Sequence, residues 1–160
     1  MSKMRMKKVE VMIATPLEEE LAARVEEVDE RVELLYEAAL LPPRRYVSDH
    51  KGDPDFKRSV ADERRWRGLL ERAEIVFGVP GESAEGLAVV LERGRRLRWV
   101  QATNAGTGQQ VLEAGIFPEE LERVAVTTAS GVHATPLAEF CLHGLLHFAR
   151  QMPRLTRLKR

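Results

Sequence analysis

Leu97-Arg98-Trp99-Val100-Gln101-Ala102-Thr103-Asn104-Ala105-Gly106-Thr107-Gly108 reads as a short apolar strand running into a turn in which two glycines bracket a threonine. In an open parallel sheet the carboxyl ends of the strands face a crevice where ligands gather. A Gly-Thr-Gly turn there leaves room for backbone N–H groups to approach an anion that a Cβ would hold off. A small carboxylate suits such a turn. A plain tight turn after a strand accounts for the same residues taken alone.

Working outward, strand-length apolar runs occupy Val9 to Ala14, Val32 to Tyr36 and Glu74 to Val79. Between them lie segments of helical period. Thr15-Pro16-Leu17-Glu18 supplies a cap residue, a proline at the first helical position and a glutamate at N3, so a first helix is expected from there. Its apolar positions are Leu17, Leu21, Val25 and Val28, with the neighbouring glutamates on the wet side. Ala61 to Ala73 reads as a helix packing through Trp66, Leu69 and Leu70. Ser83 caps another that runs to Arg93 and ends at Gly94. Leu41 to Ser59 is a long polar excursion, and its Asp49, His50, Asp53 and Asp55 are read as loop residues rather than metal ligands. Strand alternating with helix predicts an α/β protein: a flavodoxin-like, doubly wound parallel sheet with right-handed crossovers.

Composition narrows the partners. With 25 basic and 25 acidic residues among 160, the chain has no net field to recruit nucleic acid or an anionic membrane. Apolar residues make up 44% and charged residues 31%, the balance of an ordinary folded domain. No segment is long enough to span a bilayer. The single cysteine, Cys141, sits in an apolar helical pattern and is expected to be a buried thiol in a reducing, cytoplasmic setting.

The fold hosts several chemistries, so the strand ends must choose between them. A phospho-receiver needs acids at the ends of the first and third strands, where this chain has Thr15-Pro16 and Gly78-Val79-Pro80. A flavin-phosphate loop needs hydroxyl and glycine residues after the first strand, where Pro16-Leu17-Glu18-Glu19 presents acid instead. The glycine turn after the fourth strand is left as the candidate site.

A further strand-like run, Val124-Ala125-Val126-Thr127-Thr128, follows that turn. Ala129-Ser130-Gly131-Val132-His133-Ala134-Thr135-Pro136-Leu137-Ala138-Glu139-Phe140 then opens a long apolar helix from Pro136 to about Gln151. Together these segments resemble the D-isomer-specific 2-hydroxyacid dehydrogenases. In that family a strand ends in an Ala-Gly-Thr-Gly-like loop, and a second strand leads into a helix with Ala-Glu near its start. The resemblance runs from Val9 to the end of the chain. It implies an NAD(P)-dependent oxidoreductase that interconverts a 2-hydroxy acid and a 2-oxo acid. It also implies that Gly106, Thr107 and Gly108 bind substrate, with the Thr107 and Gly108 amides on its carboxylate and Thr107 against the cofactor. A homodimer through helix 136–151 is implied as well. Relatives often continue the loop with Val-Asp-Asn, where this chain has Gln109-Gln110-Val111.

What the sequence lacks is as informative. Hydride transfer needs a dinucleotide site, usually Gly-x-Gly-x-x-Gly between a strand and a helix, and no such turn is present. The family's substrate arginine and its histidine–acid pair come from sequence beyond the point matching Arg160, so no catalytic residue is assigned. Residues 1–103 are accordingly expected to form the substrate domain. Residues 104–160 are expected to supply the glycine loop, strand and dimerisation helix that open an incomplete, Rossmann-type NAD- or NADP-binding domain. The chain alone is expected to be inactive. The competing expectation is a stand-alone, non-catalytic carboxylate-binding or dimerisation module. A self-sufficient metal or hydrolytic enzyme is disfavoured, because no nucleophile, base and orienting group can be assembled. His143 and His147 lack the acid of a His-Glu-x-x-His site, and no metal is assigned. His133 reads as a loop contact, Glu139 as a first-turn complement to the helix dipole, and Gly115 and Phe117-Pro118 as turn residues.

Overall fold

A computed structural model describes residues 6–159, in two compact units that divide after Ala129. The first contains β1 (Val9–Ile13), α1 (Glu19–Glu26), β2 (Val32–Leu35), α2 (Val60–Arg72), β3 (Ile75–Phe77), α3 (Ala84–Arg93), β4 (Trp99–Gln101), α4 (Thr107–Glu113), α5 (Pro118–Arg123) and β5 (Ala125–Thr127). The second contains α6 (Ala134–Ala149) and α7 (Met152–Leu158), separated at Gln151, whose φ is +49°.

The five strands form one all-parallel sheet in the order β2-β1-β3-β4-β5. This is the flavodoxin-type doubly wound order expected from the sequence, with its reversal between β1 and β3. Side chains alternate across a strand, so the register decides which residues meet on each face. Met12 lies opposite Val76 and Val76 opposite Val100, and all three join Trp66, Leu70, Leu87 and Val90 in the main core. One residue on, Ile13 lies opposite Phe77, and both belong to a smaller cluster on the other face with Leu17, Ala22 and Leu41.

Ion pairs tie the amino ends of the strands. Glu10 and Glu33 lie directly opposite each other, a like-charge arrangement that would weaken the pairing. Arg72 offsets it by binding Glu10 at 2.6 Å and Glu33 at 3.1 Å, while Arg96 links Glu10 at 2.7 Å to Glu74 at 3.1 Å. This network stiffens the end of the sheet away from the glycine loop.

Several local expectations need correction. The strand expected to open a second domain, β5, pairs with β4 and is the edge of the first sheet, so the unit ends at Ala129 rather than at residue 103. Helix α1 starts at Glu19 instead of after Thr15, because the Thr15 hydroxyl is buried and donates to the His50 carbonyl instead of capping. Its buried face is then carried by Ala22, leaving Leu21 and Val28 exposed. Thr107, Gly108 and Pro118, read as turn residues, begin two helices, over residues 107–113 and 118–123. Pro118 occupies the first helical position of α5, and Gly115 supplies a left-handed turn between the two helices. Helix α6 begins at Ala134, which moves Glu139 out of its first turn. Cys141 is exposed, not buried, since no residue of α6 is covered within a unit of two helices.

The cap read at Ser83 corresponds to a real contact, and the structure adds a second at Ser59. Ser59 Oγ accepts the Asp62 N–H at 3.1 Å and Ser83 Oγ accepts the Gly86 N–H at 3.0 Å. Each satisfies an amide that the first helical turn leaves without a partner.

Candidate functional site

The carboxyl ends of β1, β3 and β4 deliver three loops to one edge of the sheet. The first turns at Thr15. Its neighbour Pro16 offers a carbonyl to His50 Nδ1 at 3.2 Å, so the 41–59 excursion folds over the end of β1. Asp49 staples that excursion. It is almost fully buried, receives the Arg45 guanidinium at 2.7 and 3.0 Å, and accepts the Gly52 N–H at 3.0 Å. The Arg45 hydrogen bonds hold its carboxyl well below the usual aspartate range, against the opposing effect of burial. Asp49 is therefore a structural anion, and Asp53 turns back on the Asp55 amide at 2.9 Å. Among the described residues no group of three or more histidines, cysteines or acids is placed to share a metal ion.

The second loop, Gly78 to Ser83, is fitted tightly against the first. Gly78 has φ +83°, and a Cβ there would lie 2.2 Å from Thr15 Cγ2. Only glycine lets β1 and β3 end side by side in this way.

The third loop leads to Gly106-Thr107-Gly108. Its asparagine holds it in shape: Thr107 Oγ1 donates to Asn104 Oδ1 at 2.8 Å, and the Ala129 N–H donates to the Asn104 carbonyl at 3.0 Å. Thr107 is fully buried. It has no surface to offer substrate or cofactor, so its role here is to pin the loop rather than to touch a ligand. Gly106 and Gly108 are exposed, with nothing within 4 Å of a Cβ built on either. No side chain caps α4, and the first amides of a helix have no acceptor within it. The glycine turn thus presents open, uncapped backbone at the carboxyl edge of the sheet.

A cleft of about 460 Å3 opens elsewhere, beside Pro16, Tyr36 and Arg44. Its rim carries Glu18, Glu19 and Glu20, of which Glu18 alone has an ion-pair partner among the described residues, Arg44. That acid disfavours a carboxylate ligand.

The nicotinamide dinucleotide implied by the sequence resemblance finds no fit among these residues. The turn between β4 and α4 has two glycines in place of three, its threonine is buried, and its helix is 7 residues long. In the second unit, His143 and His147 face each other with ring centroids 5.8 Å apart, and His133 precedes α6 without capping it.

No family model matches the chain, and no curated protein matches it. Among solved structures it is similar to a phosphoglycerate dehydrogenase from Lactobacillus plantarum, at 20% identity and a TM-score of 0.40. The alignment covers 88% of this chain but 35% of that one, so the chain spans about a third of that protein's length. The α/β assignment rests on the strand order itself.

Sequence reasoning found the glycine turn but missed Asn104 and Glu82. The signal for Asn104 was its place three residues before a threonine, the spacing of a side-chain contact across a turn. Nothing local marks Glu82, which meets Thr103 of the third loop only through the fold.

Proposed function

We propose that this chain is the substrate-binding part of an NAD(P)-dependent oxidoreductase that interconverts a D-2-hydroxy acid and a 2-oxo acid. The observation that carries the reading is the glycine turn at the carboxyl end of β4, whose Gly106 and Gly108 are exposed on either side of the buried Thr107. It is the same turn on which the sequence resembles the D-isomer-specific 2-hydroxyacid dehydrogenases. In this reading the open backbone at Gly106 and Gly108 receives the substrate carboxylate, and Thr107 keeps the turn in shape through Asn104. No residue of this sequence is assigned to the dinucleotide or to the acid–base pair. Helix α6, whose Leu137, Phe140, Leu145 and Phe148 are all at least 60% exposed, pairs with a second copy, because apolar surface on that scale is costly in water.

Titration of the isotope-labelled chain with oxalate or pyruvate tests the site. The amides of residues 106–108 are expected to shift. Thr107→Ser keeps the hydroxyl on Asn104 and should keep the response, whereas Gly108→Val fills the open approach and should abolish it. Shifts confined to other loops would reject the assignment. The chain alone should also leave reduced nicotinamide unconsumed in the presence of 2-oxo acids, and turnover by it would contradict the division of labour.

A further inference from the structure

A second cleft, of about 700 Å3, opens along α2 and reaches Arg93 at the carboxyl end of α3, and it shares no lining residue with the glycine turn. Four arginines line it, Arg58, Arg64, Arg67 and Arg93, against two carboxylates, Glu63 and Glu71, so its wall is positive in a chain with no net charge. Glu63 is already committed. Its carboxylate accepts Arg67 Nε at 2.8 Å and, more loosely, Arg58 Nη1 at 3.4 Å. Arg93 has only its neighbour Glu92, at 3.6 Å, and Arg64 has no ion pair among the described residues.

Arg58 is set in place by the fold. Its guanidinium lies 4.5 Å from the centroid of the Trp66 ring and 5.8 Å from that of Phe56, while Nε donates to the Leu40 carbonyl at 2.6 Å. Its side chain is 17% exposed, and burial lowers its pKa from the ordinary arginine value, the mark of a cation short of compensating charge. A guanidinium offers five N–H donors in a fixed fork, and here Nη2 has no acceptor among the described residues. Gly68 keeps the wall of the cleft open. It sits inside α2, where glycine costs helix stability relative to alanine, yet a Cβ built on it meets nothing within 4 Å, so close packing does not require it.

We propose that this cleft binds a small molecule carrying a phosphate group, with Arg58 as the fixed fork and Arg64 and Arg93 as the cations not committed elsewhere. A planar guanidinium meets two oxygens at once, and a phosphate has three to share among several such forks where a carboxylate has two. The positive end of the α2 dipole, at Ser59 and Val60 on the same wall, favours the same charge. The volume of about 700 Å3 is that of an ordinary small-ligand cleft.

Pyrophosphate, inorganic phosphate and oxalate, titrated in turn into the isotope-labelled chain, test it, with the Arg58 Nε–H and Trp66 indole N–H signals as readouts. Both signals should shift with pyrophosphate and with phosphate, and phosphate should bind several-fold tighter than oxalate although it carries no more charge. Arg64→Gln should weaken pyrophosphate about tenfold, the loss of one hydrogen bond to a charged group. Gly68→Leu keeps every charge and fills the open wall, so it should abolish the response while melting no lower than the wild type. Arg24→Gln removes an exposed arginine of α1, outside the cleft, and should leave the response unchanged. Unshifted Arg58 and Trp66 signals at millimolar pyrophosphate would overturn the site, as would a full response in folded Gly68→Leu. Equal weakening by Arg24→Gln and Arg64→Gln would show screening of the whole surface and overturn it too. Oxalate bound as tightly as phosphate would overturn the assignment to a phosphate group.

Discussion

Gly78→Ala is the substitution whose cost the structure specifies most fully. The added methyl carbon would sit 2.2 Å from Thr15 Cγ2 and 2.5 Å from Thr15 Cβ, on a backbone with φ +83°. Left-handed backbone costs an L-residue about 1–2 kcal/mol. Overpacking in a close-packed interior adds about 1–3 kcal/mol, because Thr15 is fully buried and its hydroxyl is committed to the His50 carbonyl. The expected loss is thus about 2–5 kcal/mol, a large share of the roughly 5–15 kcal/mol that holds a domain together. At about 3 °C per kcal/mol for a domain of this size, the melting midpoint should fall by about 6–15 °C. Thermal unfolding followed by circular dichroism measures it. Thr15→Ser removes the nearer clashing atom and keeps the hydroxyl, so the double variant should recover part of the loss. Gly108→Ala is the contrast: with nothing within 4 Å and an ordinary helical setting, it should be neutral or stabilising by up to about 1 kcal/mol. If Gly78→Ala melted within about 2 °C of the wild type, the close approach of β1 and β3 at the strand ends would be refuted.

Two further outcomes follow from other parts of the molecule. The Asp49 carboxyl titrates below its ordinary 3.8 when folded, so the stability it contributes is complete above that value and is lost as pH falls toward the folded pKa. Asp49→Asn should therefore melt below the wild type at neutral pH, with the gap closing as the pH is lowered past about 4. A gap independent of pH would show that the Arg45 pair does not set the titration. On α6, Leu145→Glu should shift the chain toward monomer in sedimentation velocity. A folded wild-type monomer at high micromolar concentration would remove the basis for pairing through this helix.

The parts of the fold that were legible in the sequence are those fixed by short-range chemistry. Ser83 caps a helix because its hydroxyl reaches an amide three residues on, and that cap formed, as did an unread one of the same kind at Ser59. The four internal apolar runs became β1 to β4 because their alternating residues meet two cores. Thr15-Pro16 misled because the cap pattern is local, whereas the excursion that takes the Thr15 hydroxyl lies more than thirty residues away, at His50. Strand β5 was recognised as a strand but assigned to the wrong sheet, since three residues carry no record of their neighbours and only the pairing of Val100 with Val126 places them. At the site, the glycine turn could be read directly. The burial of Thr107 could not, because it depends on Asn104 turning inward, and Glu82 depends on two loops meeting.

The proposed function stands or falls on whether the turn after β4 receives a carboxylate. A crystal structure of the chain with oxalate tests it most directly. One oxalate carboxylate is expected within hydrogen-bond distance of the Gly106 or Gly108 amide, with Thr107 still buried on Asn104. Oxalate bound only beside Arg44 and Tyr36, with the glycine turn bare at saturating concentration, would contradict it.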